Sequence, residues 1–346
     1  YKLSYTLAFS LLLSCVTNAL AATPMVSAGF EHSLALSSDG KLSAWGSDSK
    51  GQLGLGRTVF LNTPQQVIGL NVGQDPKIAH VDGIGYHQLV LNSDGTVVAW
   101  GLNNSGQLGD GTTTDRSSPV RVGGLTEVVG VAKGTNCSLA LKNDGTVWQW
   151  GNCTSPFALK PQPTPRQVVG LSAVVALAAG LTHALALSAD GSVWAWGTNF
   201  SGQLGDGTTI TRESPTKVGN LPRVVQVVAG YSHSLALAAD GSVWSWGRNA
   251  FGELGDGTTT NRLAPVQIET LTGMARVGAG YAHSFAIKSD GSLLAWGYNV
   301  YGQLGDGTRA DRSSPVVVKN IGGVIAAVGG IFHSAALKSD GSIWTW

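Results

Sequence analysis

The chain is poor in charge. Lys, Arg, Asp and Glu make up 12% of its 346 residues, about half the usual share. That charge balances, 22 basic against 21 acidic residues for a net +1, with no basic run and no acidic tail. A nucleic-acid partner normally needs a clustered positive surface, which this excludes. Electrostatic attachment to a membrane is excluded for the same reason. No apolar run is long enough to span a bilayer; the stretch from Leu7 to Val16 is too short. No Gly-Lys-Ser/Thr follows the Gly-rich loops, so they are not phosphate cradles. Cysteines number only 3: Cys15 near the start, then Cys137 and Cys153, which an oxidising compartment would let pair.

Glycine and tryptophan are abundant, at 48 and 11 residues. Such a chain suits many short strands joined by tight turns. The first residues differ from the rest. Lys2 precedes the apolar stretch, and Ala19-Leu20-Ala21 places small residues at A-x-A positions. This is the pattern of a secretory signal peptide over residues 1–21, cleaved before Ala22. A second reading stays open: Leu12-Leu13-Ser14-Cys15 resembles a lipobox, which would anchor a lipoprotein through Cys15. The expected location is secreted or periplasmic.

Internal repeats set the architecture. Trp45, Trp100, Trp150, Trp196, Trp246, Trp296 and Trp346 recur at intervals of 55, 50, 46, 50, 50 and 50 residues. Asp-Gly stands six residues before each Trp, and a His thirteen before: His32, His87, His183, His233, His283 and His333, with Cys137 in the third module. A clear module runs Val227-Val228-Ala229-Gly230, His233 to Leu237, Asp240-Gly241, then Val243 to Gly247. Its alternation has period two, so these are strands, and Asp-Gly between them marks a hairpin turn. Pro265-Val266-Gln267-Ile268 reads as a fourth strand at a sheet edge, where a missing N–H does no harm. Four-stranded units that cannot bury both faces alone stack around an axis. The expectation is an all-β, seven-bladed propeller over residues 22–346, with small residues such as Ala178-Ala179-Gly180 near the axis and the Trp residues between blades. The Pro-led strand occurs six times against seven hairpins, giving 27 strands, a last blade short of one, and a chain expected to continue past Trp346.

The string His-Ser-Leu-Ala-Leu, Asp-Gly, Val-Trp-x-Trp-Gly, then Gly-Gln-Leu-Gly-Asp-Gly resembles the regulator of chromosome condensation repeat, notably its bacterial, alpha-tubulin-suppressor-like members. Matching loops run from Gly106 to Gly111, Gly202 to Gly207, Gly252 to Gly257 and Gly302 to Gly307, with a weaker copy at Gly51-Gln52-Leu53-Gly54. The resemblance implies a seven-bladed propeller but no single function. Its members include a nucleotide exchange factor for a nuclear GTPase, domains of ubiquitin ligases and a secreted β-lactamase inhibitor. Exchange acts through a projecting wedge on a nuclear partner. A secretory signal, no basic tail and no wedge-length insertion argue against it here.

The repeat histidines lie one per blade, too far apart to share a metal at about 2 Å. They read as buried residues fixing turns by hydrogen bonds, and His80 as a surface residue in the longer linker. Asp-Gly and Gly-Asp-Gly offer single carboxylates, whereas calcium wants six to eight oxygens, so they read as turns. No Ser-His-Asp set can be singled out. Cys137 replaces the repeat His, and Cys153 replaces the Asn seen at Asn103, Asn199, Asn249 and Asn299. The expectation is a His–Asn contact across the hairpin mouth of other blades, replaced here by a Cys137–Cys153 disulfide; two unrelated free thiols are the alternative. Arg116, Arg212, Arg262 and Arg312 form a ring, each tying down its own loop. Two loops depart from the pattern, Ser155 to Pro161 and Gly69 to His80, and irregular loops often carry specificity. Loop aromatics Phe60, Phe157, Phe200, Phe251 and Tyr301 are candidate partner contacts. The expected function is an interaction scaffold without catalysis, binding a protein or a cell-surface polymer. The alternatives are an enzyme inhibitor, or a propeller part of a larger enzyme or surface protein. No cofactor, nucleic acid or membrane span is expected, and the chain is expected to be a monomer.

Overall fold

The computed structural model describes residues 24–70, 78–82, 85–153 and 160–346. The segment 1–21 with Cys15, the centre of the Gly69–His80 linker, and Phe157 with most of its loop lie outside them. Among the described residues, twenty-seven strands form six four-stranded antiparallel sheets and one of three strands, Val324–Gly329, Ser334–Lys338 and Ile343–Thr345. Each blade is one continuous stretch of chain whose strands pair in sequence order.

Blade 5 shows why. Its strands are Val224–Ala229, His233–Ala238, Val243–Gly247 and Arg262–Gln267. Leu235, Leu237 and Val243 point to one neighbouring blade and Ala236 and Trp246 to the other, so both faces are covered. Period-two alternation therefore carries two apolar faces rather than one. First strands of neighbouring blades touch around the axis, and the first strand of blade 7 touches that of blade 1, closing the ring. Small residues such as Ala179 and Ala229 sit there. The closing seam is non-covalent. Val26 packs on Ala335 and Leu337, and Ile331 N–H donates to the Phe30 carbonyl at 3.2 Å.

Two details differ from the sequence expectation, the start of the fourth strand and the place of His80. The fourth strand of blade 5 starts at Arg262, and Pro265 falls where the register slips between Ser245 and Gly247, a bulge that needs no proline N–H. Register also slips once in the first strand of six blades, for example between Val224 and Gln226. His80 is not in the linker but in the first strand of blade 2, Ile78–Asp82, opposite Leu91. It stands in register with Ala176, Gln226, Arg276 and Ala326, which follow the same bulge in their own blades.

Candidate interaction face

Six of the seven seams between blades are held by a polar contact from the repeat His. His183 Nε2 meets Ser234 Oγ of the next blade at 3.0 Å, His233 meets Ser284 at 2.9 Å, and His283 meets Ser334 at 3.1 Å. His87 and Ser138 do the same at 2.9 Å, and His333 reaches Ser33 at 2.9 Å across the closing seam. Ser234 Oγ–H donates in turn to the Gln203 carbonyl at 2.9 Å, which also accepts from Trp246 Nε1 at 2.9 Å. Since the Ser234 hydroxyl is spent on that carbonyl, His183 Nε2 must be the donor, and because Ser284 Oγ–H donates to the Glu253 carbonyl at 2.8 Å, His233 Nε2 donates likewise. Burial keeps the ring neutral. Burial lowers His183 to about 4 and His32, His233 and His283 to about 3, with Lys133 adding to the effect at His32. The histidines therefore stitch blades together; they do not fix turns. His32 meets Gln88, which stands where other blades carry Ser.

The repeat Asn does not touch the His. Asn249 instead staples its own loop. Its Oδ1 accepts from Leu254 N–H at 3.0 Å, and its Nδ2 donates to Asp256 Oδ1 and the Thr258 carbonyl, each at 3.1 Å. Arg262 Nε closes on Asp256 Oδ2 at 2.7 Å, as Arg116, Arg212 and Arg312 close on Asp110, Asp206 and Asp306. Burial pushes the Asp256 carboxyl up, but bonds from Thr258 and Arg262 outweigh it and hold it below the ordinary value. The Asp-Gly turns are equally self-contained: Asp240 Oδ1 accepts from Ser242 N–H at 2.9 Å and Ser242 Oγ–H at 2.7 Å. Among the described residues no three His, Cys, Asp or Glu side chains gather as a metal site.

The seam between blades 3 and 4 departs from this scheme at both ends. Cys137 stands for the His, and Ala184 stands for the partner Ser. Cys137 is joined to Cys153 by a disulfide with Cα atoms 4.7 Å apart. Blade 3 lacks the Gly-Gln-Leu-Gly loop, so Trp196 Nε1 donates to the Gln149 side chain at 2.9 Å instead of a loop carbonyl.

With the repeated polar groups spent internally, the aromatic side chains stand out. Gly247 pairs with His233 at one end of the hairpin, and Arg248 N–H donates to the Ser232 carbonyl at 2.9 Å. The Gly-x-x-His loops and the loops after Trp-Gly therefore share one face, opposite the Asp-Gly turns. At the axis on that face Phe30 packs on Tyr86 (centroids 5.1 Å) and Tyr281 (6.1 Å), and Tyr231 lies 4.1 Å from Tyr281. Burial and the Tyr281 phenol push Tyr231 up to about 12. Further out, a second series crosses blades 5 to 7: Phe251–Tyr298 at 4.8 Å, Tyr298–Tyr301 at 6.3 Å and Tyr301–Phe332 at 4.8 Å. Arg248 stacks on Phe251 at 4.8 Å and pairs with Glu253 at 3.1 Å. Blade 5 carries Arg248 after its Trp-Gly and Glu253 where Gln52, Gln107, Gln203 and Gln303 stand.

Of the aromatics singled out in the sequence, Phe251 and Tyr301 belong to this outer series. Phe60 and Phe200 are exposed elsewhere, at 75% and 65%. Trp100, Trp150, Trp196, Trp246 and Trp296 are fully buried, whereas Trp45 and Trp346 line a cleft of about 250 Å³ at the closing seam with His32 and His333. Phe30, Tyr86, Tyr231, Tyr281, Tyr298 and Phe332 were missed. For Phe30, Tyr231 and Tyr281 the signal was positional: Phe30, Leu181, Tyr231, Tyr281 and Ile331 each follow the glycine of Gly-x-x-His, and each is large.

Comparison with known proteins agrees with this architecture. Over 132 residues the chain is 42% identical to the probable E3 ubiquitin-protein ligase HERC6 of Homo sapiens, covering 37% of this chain and 13% of that protein. It is 33% identical over 129 residues to the mitochondrial RCC1 domain-containing protein RUG3 of Arabidopsis thaliana, covering 37% of this chain and 28% of that one. The chain thus spans under a third of either relative. Among solved structures, human WBSCR16 superposes with a TM-score of 0.79 at 25% identity, covering 91% of this chain and 86% of that one. Prp20p of Saccharomyces cerevisiae, whose structure was described with its binding to Gsp1p and histones, gives 0.78 at 25% identity, over 90% and 81%. The RCC1-like domain profile matches residues 12–275 and again 154–346. Repeat, blade and profile agree, and the chain belongs to the RCC1-like domain family.

Proposed function

We propose that this propeller is a binding module without chemistry of its own, engaging a protein partner through its aromatic face. One observation carries the reading. The repeated polar groups are consumed in seams and loops, while aromatic side chains from blades 1, 2, 5, 6 and 7 gather on one side. Aromatic residues are enriched at protein interfaces and depleted charge is typical of interface cores. Prp20p, of the same fold, is a protein-binding propeller by its described partners, which supports a scaffold role here. The reading also places the domain outside the cytoplasm. What supports this is the N-terminal apolar run and a disulfide that an oxidising compartment would preserve.

The test compares faces. Residues 22–346 are immobilised and cross-linked to an extracytoplasmic fraction, beside Y301S/F332S on the aromatic face and D240S/D290S on the opposite turns. Saturable capture should vanish only with the first pair. Loss with the turn variant alone would overturn the assignment of the face. Fusing residues 1–30 to a reporter active only after export tests the location.

A further inference from the structure

We infer that the outer aromatic series, Phe251–Tyr298–Tyr301–Phe332, is a docking groove for an extended, proline-rich peptide segment of the partner. The inference rests on the aromatic face being the binding face, and it names what that face recognises. The series crosses two seams, with centroid steps of 4.8, 6.3 and 4.8 Å. Tyr301 and Phe332 are 57% and 42% exposed, and Val300 beside them 47%.

Ring orientation decides among occupants. Successive planes lean at 51°, 64° and 64°. A sugar polymer stacks its flat faces on rings that share a plane, and these do not. Tilted rings make ridges with notches between them, the relief that accepts proline rings of a polyproline II helix. With 3.1 Å per residue, a ladder reaching at most about 16 Å spans about five such residues. Strand addition is unavailable, because the loop N–H groups are spent: Phe251 on Glu253 Oε2, Tyr298 on the Ala282 carbonyl, Tyr301 on Gln303 Oε1. A polyproline II segment has no internal hydrogen bonds, so its carbonyls are free to accept from the Tyr298 and Tyr301 phenols.

Charge points the same way. Arg248 is already held by Glu253 and by the Phe251 face, and Asp311 Oδ1 already accepts from Asn299 N–H at 2.7 Å. A ligand that relied on one strong charge would find its counter-ion engaged. The peptide this surface suits is uncharged, apolar and pre-extended.

The probe is an end-blocked decaproline peptide, titrated into the oxidised 22–346 domain by calorimetry, with aromatic ¹³C NMR reporting which rings move. Saturable binding is expected, with shifts confined to Phe251, Tyr298, Tyr301 and Phe332. Y301S should weaken it at least tenfold without lowering the melting temperature, because that ring is exposed. F332S gives the same readout from the next blade, should either variant fold poorly. Raising salt from 50 to 500 mM should change affinity less than twofold. Cellohexaose is the competing probe. If it saturates these rings and decaproline does not, the site is a glycan site and the peptide inference is overturned. If decaproline fails while Y301S/F332S still abolishes capture of the cross-linked partner, the groove inference falls and the binding face stands.

Discussion

Removing the blade 3 disulfide should weaken one seam, and a designed repair should restore it. The perturbation is C137A/C153A. The bridge closes a loop with a sequence separation of 16, worth about 3 kcal/mol in the chain-entropy account. No His–Ser bond exists at this seam to offset the loss, because Ala184 faces it, itself fully buried. The repair is C137H/A184S/C153S, which rebuilds the His–Ser bond that the other seams carry, without the loop carbonyl that blade 3 lacks. One buried hydrogen bond contributes about 1 kcal/mol, so it should recover about a third of the loss. The assay is urea unfolding of oxidised and reduced protein, with amide hydrogen exchange to locate the weakening. Exchange should rise first in Val128–Lys133, Cys137–Lys142 and Val174–Ala179, the strands that meet at the seam. A double-mutant cycle between C137H and A184S should show coupling of about 0.5–1.5 kcal/mol. If reduction leaves the midpoint unchanged, or if C137H stabilises as much beside Ala184 as beside serine, the argument that the bridge replaces the relay is refuted.

Other outcomes follow from the same geometry. The seam histidines have folded pKa values of about 3 to 4 against 6.5 unfolded, so they stabilise the fold above pH 6.5 and lose that contribution as pH falls toward 4; melting temperature should drop across that window, and less in H183Q, whose amide keeps a donor without titrating. Asp256→Ala should cost about 1–3 kcal/mol by urea unfolding, since it leaves Asn249 and Arg262 without their shared acceptor. Gly230→Ala should destabilise by at least about 1 kcal/mol, because a Cβ there would run into the His233 ring; a neutral result would mean the ring does not lie on that backbone.

The blade count, the hairpins and the 27 strands were legible because they rest on local pattern: alternation, Asp-Gly turns and a fixed interval. That each arginine ties down its own loop was legible because its partner lies only six residues away, though the aspartate itself was not singled out. The seams were not, because His233 and Ser284 are separated by 51 residues and only stacking brings them together. Yet the sequence holds the clue. The residue after the repeat His is Ser33, Gln88, Ser138, Ala184, Ser234, Ser284 or Ser334, and the one alanine follows the one blade whose His is Cys137. Two partners lost together across a seam mark them as partners. The His–Asn contact failed because both partners are spent elsewhere: Asn249 on Leu254, Asp256 and Thr258 of its own loop, His233 on Ser284 of the next blade.

Where this fold leaves room for specificity follows from which loop positions the network claims. After Trp-Gly in five blades the second residue is fixed: Asn103, Asn199, Asn249 and Asn299 staple their loops, and Asp48 does so in blade 1, accepting from Leu53 N–H at 2.8 Å. The first, third and fourth residues carry no repeated bond through their side chains. They read Ser47, Ser49 and Lys50 in blade 1, Leu102, Asn104 and Ser105 in blade 2, Thr198, Phe200 and Ser201 in blade 4. In blades 5 and 6 they read Arg248, Ala250 and Phe251, then Tyr298, Val300 and Tyr301. The outer aromatic series is built almost wholly from these unclaimed positions, so it can change without disturbing a seam. The loop's staple and the aromatic series thereby lie in different residues of the same loop, residues 248–261 in blade 5 and 298–311 in blade 6. Exchanging Tyr298 and Tyr301 for the blade 2 pair, as Y298L/Y301S, should abolish partner capture while the urea midpoint stays within about 0.5 kcal/mol of the parent, the range of surface substitutions. A large loss of stability in that variant would show that the aromatic positions belong to the scaffold after all.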